Sequence, residues 1–89
     1  MKEYYSVPRS APLGADYMLH MAVNFGRVVP ESLRSKAGEG EAVAWITRRD
    51  STVILHSRVF KGYPLLDPLW KHHVVPWGKD YLAQNRAET

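Results

Sequence analysis

The residues best equipped for chemistry in this chain are its histidines and arginines. His72 and His73 stand side by side in Lys71-His72-His73-Val74-Val75-Pro76, and Asn85 follows downstream. A neutral imidazole accepts a proton or coordinates a cation near neutral pH, so the pair offers a general base and a metal ligand. A fuller metal set needs three or four convergent ligands and would add His56 and Asp67, but nothing in the spacing of these four demands convergence. Arg48 and Arg49 are adjacent in Arg48-Arg49-Asp50-Ser51, where two guanidinium forks can meet phosphate or carboxylate oxygens. Gly38-Glu39-Gly40 lacks the strand-to-helix setting of a phosphate cradle and reads as a flexible connection. Hydrolytic triads and dinucleotide fingerprints are absent. With no cysteine there is no thiolate nucleophile, disulfide framework or Cys-based zinc site.

The segment Lys71–Pro76 together with Asn85 resembles the opening of the HNH-type (ββα-metal) nucleases. In that family a His pair beside a Val/Ile-Val-Pro segment supplies a general base and a metal ligand, and a downstream Asn orients the base. The resemblance implies His72 or His73 as the base and Asn85 as the orienting group. It spans less than a fifth of the chain and lacks the cysteine pairs that often brace that fold. Two histidines at a helix C-terminus, where the dipole favours them, account for the pair more simply. Neither a metal nor any other cofactor is expected.

The basic-aromatic inventory carries more weight. Arg48, Arg49, Arg58, Lys61, Lys71 and Lys79 are interleaved with Trp45, Phe60, Tyr63, Trp70 and Trp77. Such a set can track phosphates and stack on bases, or form a protein interface, where Trp, Tyr and Arg dominate the energetics. The plainer account is that Trp45, Phe60 and Trp70 fill a small core while the cations keep the surface hydrated. Three tryptophans and five tyrosines in 89 residues exceed what one small core must hide. Trp77, between Pro76 and Gly78, is the least committed to that core and the best exposed anchor.

These side chains need elements to position them. Residues 1–14, with Pro8, Pro12 and Gly14, read as an extended N-terminal arm on which Tyr4 and Tyr5 are potential anchors. Residues 17–25 fit either a strand or a helix. Alternation favours the strand, with Tyr17, Leu19, Met21, Val23 and Phe25 on one face, before a break at Gly26. Val29–Gly38 reads as a short helix with Pro30 in its first turn and Gly38 as its C-cap. Glu41–Lys61 is a β-hairpin, β-branched and aromatic on both arms, turning through Arg49 and Asp50 by a two- or three-residue loop. Val43, Trp45, Val53, Leu55 and Val59 oppose Ala44, Ile46, Ile54 and Phe60, so both faces are apolar and the sheet needs cover on both sides or a partner on one. Tyr63-Pro64 turns the chain. Asp67-Pro68 then starts a helix with Leu69, Trp70 and His73 on one face, Pro76 ends it, and Trp77–Arg86 is a possible last helix.

Bulk composition places these elements in one domain. A chain of 89 residues buries roughly 60–65% of its unfolded surface, enough for one modest core. Hydrophobic residues at 45% and charged residues at 24% are ordinary for a globular protein. The N-terminus lacks the apolar core of a signal peptide, and no window reaches the roughly 20 apolar residues of a membrane span, so the expected location is the cytoplasm, without membrane association. The net charge of +3 is mild for a nucleic-acid binder. It is also uneven: residues 42–79 hold six cations and two anions, so any anion-binding face belongs to the second half.

The expected fold is therefore α+β: a single domain over residues 15–89, with a mostly antiparallel three-stranded sheet and two or three short helices on one side, in the order β-α-β-β-α. The expected function is that of a small non-enzymatic accessory or inhibitory protein, of the kind phages and mobile elements encode. That last step is an association of size and composition. It would occlude a macromolecular partner, a protein in the first instance, through Arg48, Arg49, Arg58, Lys61, Trp70, Lys71 and Trp77. Nucleic-acid binding by the same cations ranks second and a metal-dependent nuclease third. A homodimer through edge pairing of the hairpin is also open.

Overall fold

The structure, a computed structural model, describes residues 9–24, 29–61 and 66–88. The expectations for Tyr4, Tyr5, Phe25, Gly26, Tyr63 and Pro64, and for the Asn85 side chain, lie outside the described residues.

Four strands, β1 (Arg9–Leu13), β2 (Tyr17–Val23), β3 (Ala42–Arg48) and β4 (Ile54–Phe60), form one antiparallel sheet in the order β1-β2-β3-β4. This corrects the expected three strands. The additional one, β1, falls in the stretch read as an arm. Its backbone is extended as expected, but it pairs with β2 from Arg9↔Met21 to Leu13↔Tyr17. Pro12 donates no N–H, which suits this strand to an edge. Gly14, at φ 65°, supplies the left-handed turn into β2. Residues 17–23 follow the period of two and form a strand, not a helix.

The hairpin is present, but with a longer turn than either expected loop. Residues 49–53 link its arms, with the Ser51 N–H donating to Arg48 O at 3.2 Å and the Val53 N–H to Ser51 Oγ at 3.0 Å. Pairing runs Ile46↔His56 and then Thr47↔Ile54, so Leu55 is the extra residue of a β-bulge. The bulge reverses the alternation. Ile54, expected beside Ala44, Ile46 and Phe60, instead packs with the cluster of Val43, Trp45 and Val59.

Both faces of the sheet are covered, and by different elements. Leu13, Leu19, Met21, Ala42, Ala44, Ile46 and Phe60 pack with Leu69 and Val74 of the C-terminal helix. On the opposite face Ala22, Val43 and Trp45 pack with Val29, Leu33 and Ala37. Helices on one side only is therefore corrected. The two apolar faces of the hairpin demanded this arrangement, because an uncovered one would leave Trp45 and Val43 in water.

Helix α1 (Glu31–Arg34) is a single turn, shorter than the expected 29–38. Gly38 is not its cap, and the glycine pair is not an open tether. The Gly38 N–H donates to Glu41 Oε1 at 2.7 Å, the Glu41 N–H to Gly38 O at 3.1 Å, and the Gly40 N–H to Asn24 O at 3.0 Å. Asn24, nearly buried, donates from Nδ2 to Ala37 O at 2.9 Å and fastens this segment to the sheet.

The C-terminal region is one long helix made of α2 (Leu66–Leu69), a π-helical turn (Trp70–Val74) and α3 (Val75–Glu88). The expected stop at Pro76 does not occur. Proline lacks an N–H and its ring crowds the carbonyl four residues back, but the wider π-turn eases that crowding. The Val75 N–H accordingly reaches back five residues to Trp70 O. The inserted residue also shifts the buried stripe. Val74 joins Leu69 in the core, while His73, expected on that face, is exposed. The helix already includes Leu66, so Asp67 lies within its first turn, where it pairs with Arg9 of β1. Among the described residues no helix is long and apolar enough to cross a membrane.

Candidate partner-binding surface

Strand alternation and helical spacing converge on one row of rings. On β4, His56, Arg58 and Phe60 share a face by the period of two. On α3, Trp77 and Tyr81 share a face at a spacing of four. Packing α3 over this face sets the His56 ring parallel to both: 5.2 Å from Trp77 at 24°, and 5.4 Å from Tyr81 at 17°. Tyr81 meets Tyr17 of β2 edge-on at 6.0 Å, and Trp77 meets Phe60 edge-on at 6.3 Å.

An arginine closes each end of the row. The Arg48 guanidinium lies 5.7 Å from the Tyr17 ring centre, and that of Arg58 lies 5.1 Å from the Phe60 ring. The result is an unbroken sequence Arg48–Tyr17–Tyr81–His56–Trp77–Phe60–Arg58. Phe60 is buried, Tyr17, Trp77 and Tyr81 are half-buried, and His56, Arg48 and Arg58 are exposed. Each cation–ring contact contributes about 0.5–1 kcal/mol at exposed sites, so these arginines are held in place while their donors remain open. The ion pair between Arg9 and Asp67 lies at the β1 side, and among the described residues no carboxylate pairs with Arg48 or Arg58.

Of the seven residues expected at the surface, Arg48, Arg58 and Trp77 are thus joined. Trp77 is not the free anchor expected, since its ring is half-buried and engaged by His56 and Phe60. Arg49 is drawn to the β1–β2 turn, its N–H donating to Asp16 O at 3.0 Å and its Nη1 to Ala15 O at 3.3 Å. A hollow of about 510 Å³ at this tip is lined by both Arg48 and Arg49 but also by Asp16 and Asp50, which offset the positive charge. Lys61 follows β4 and is exposed, as is Lys71. Trp70 is half-buried against the α-covered core, and Trp45 is buried on the opposite face. Burial of Trp45 and Phe60 is the plainer account of the aromatics given above.

Four members of the row, Tyr17, His56, Phe60 and Tyr81, were not among the seven expected surface residues. The pattern His56-x-Arg58-x-Phe60 and the spacing Trp77-x₃-Tyr81 carry the signal. Only the pairing of β4 with α3 reveals that they meet.

The histidine pair lies in the π-turn inside the long helix, both residues exposed, and not at a helix C-terminus. Among the described residues no three potential ligands gather into a metal site, so His56, Asp67, His72 and His73 do not converge. A different histidine is the more organised. His20 Nδ1 lies 2.8 Å from Ser10 Oγ, its Nε2 lies 3.0 Å from Thr47 Oγ1, and its ring stacks on Trp45 at 5.4 Å. Burial holds its pKa below the ordinary 6.5. The third position holds a hydroxyl where a hydrolytic triad has a carboxylate to stabilise the imidazolium, so the line acts as a cross-strand clamp.

No protein-family model, curated protein or solved structure matches the chain.

Proposed function

We propose that this protein is a small, non-enzymatic accessory or inhibitory protein that occludes an acidic surface of a partner protein through the arginine-bracketed row of rings. The observation that carries this is the continuity of the row, with buried and half-buried aromatics between two exposed guanidiniums that pair with no carboxylate among the described residues. Interfaces draw most of their energy from Trp, Tyr and Arg, whose large rigid surfaces lose little conformational freedom on binding. Arginines already held over rings have less entropy to lose when a carboxylate arrives.

The geometry favours a protein over a nucleic acid. Base stacking uses an open ring face. In this row His56 lies face-on to both Trp77 and Tyr81, so part of the stacking surface is already occupied from within. Edges and guanidinium donors remain, and these suit carboxylates and backbone carbonyls.

Capture by the tagged chain from its native cell extract, with and without nuclease treatment, tests this. The expected result is a protein partner that survives nuclease and is lost with the double substitution Arg48→Glu and Arg58→Glu. Capture that disappears with nuclease would move the assignment to nucleic-acid binding. Capture indifferent to the two substitutions would remove the row from the interface.

A further inference from the structure

We propose that the outer edge of β4 receives an extended, acidic segment of the partner as a fifth strand. The inference rests on the protein-binding function above and names how part of the partner is held.

The two edges of the sheet are unlike. β1 has five residues, is interrupted by Pro12, and is tied to α2 through Arg9 and Asp67. Proline and short length are the usual protection of an edge against strand addition. β4 has seven residues and no proline, and among the described residues no strand pairs with its outer side. The bulge at Leu55 confines regular pairing to residues 56–60, enough for a short strand. At the start of this edge stand Val53, 65% exposed, and Leu55, 39% exposed. Neither belongs to either of the two core clusters.

A groove of about 440 Å³ lies alongside, between α1 and β4. Ser32, Leu33 and Lys36 line one wall and residues 54–57 the other, and among the described residues no carboxylate lines it. Arg58 is exposed further along the same strand, and Lys61 is exposed just beyond its end. Strand addition requires alternating N–H and C=O groups, which a polypeptide has and a nucleic acid lacks. The surrounding charge then selects an acidic polypeptide with apolar residues to cover Val53 and Leu55. A second copy fits poorly. Antiparallel self-pairing would bring together two chains of net charge +3, each with an exposed Arg58 on the paired edge.

The probe is a capped octapeptide of alternating glutamate and valine, with two controls: lysine replacing glutamate, and a central proline replacing valine. Backbone amide exchange of β4, followed by NMR, is the readout. The glutamate peptide is expected to slow exchange at alternate amides within residues 56–60 by at least about tenfold at millimolar concentration, while neither control does. Leu55→Asp, an exposed substitution whose folding is checked by circular dichroism, is expected to weaken the peptide about tenfold. Absence of protection at about 5 mM peptide would overturn the proposal. Equal protection by the lysine peptide would overturn its charge assignment, and equal binding by the proline peptide would overturn strand addition. Concentration-dependent dimers with the same amides protected would assign the edge to a second copy and also overturn it. The peptide experiment reads β4 amides, whereas partner capture reads the ring row. Failure at the edge therefore leaves the row standing, and failure of the row shows as capture unaffected by Arg48→Glu and Arg58→Glu.

Discussion

At the residue scale, His20 is the side chain whose chemistry is most constrained. It is held between Ser10 and Thr47 and stacked on Trp45, and burial disfavours its cation. Both hydroxyls can accept from a protonated ring, so the hydrogen bonds do not oppose protonation; desolvation does. Because the folded pKa lies below the unfolded 6.5, the unfolded state binds protons first as pH falls. This contribution to stability is fully present well above pH 6.5 and is lost as pH falls through 6.5 toward the folded value. Urea denaturation at a series of pH values is expected to show that decline, and His20→Gln is expected to flatten it. An unchanged slope in the variant would contradict the assignment. Asn24 is the other residue with a defined task, donating to Ala37 O. Asn24→Leu leaves buried carbonyls unpaired and is expected to cost about 1–3 kcal/mol in denaturant unfolding. Neither residue was legible as special in the sequence. Alternation puts both on the strand face opposite Tyr17, Leu19 and Met21, and nothing local marks them out, because their partners lie 10 to 27 positions away.

At the element scale, the β-hairpin and β2 were legible because period-two alternation is local. The strand β1 was missed because Pro12 and Gly14 argue against a strand unless it sits at an edge. The bulge at Leu55 was illegible for a similar reason: register depends on how the turn closes, and the residue that slips is set by packing on both faces. The long helix shows the opposite failure. Pro76 was read as a stop, yet the π-turn absorbs it and buries Val74 in place of His73. Gly78 lies where α3 packs tightly against the sheet. A Cβ there would lie 3.0 Å from Leu19 Cδ2 and 3.4 Å from Leu13 Cδ1. Both leucines are buried in the core and have little room to move. Gly78→Val is therefore expected to lower stability by about 1–3 kcal/mol despite glycine's poor helix propensity, as measured by the urea midpoint. A stabilised variant would contradict the close approach.

At the scale of the whole molecule, the sheet divides the protein into two cores with different covers. The face under α3 carries its aromatic row out to the surface. The opposite face is closed by α1 and the Asn24 clamp, leaving the β4 edge between them. Sequence composition placed an excess of cations in residues 42–79, and Arg48 and Arg58 are two of them. The contiguity of seven side chains from four elements became visible only in three dimensions. A surface with exposed arginines at both ends is expected to bind its partner less tightly as salt rises, with a shallower dependence than a phosphate-tracking protein, and titration at several ionic strengths checks this. The most direct measurement is the calorimetric affinity of the captured partner for the wild-type chain and for the Arg48→Glu, Arg58→Glu double variant. A loss of at least about 30-fold with the fold intact is the predicted result, and an affinity equal to that of the wild-type chain would contradict the account.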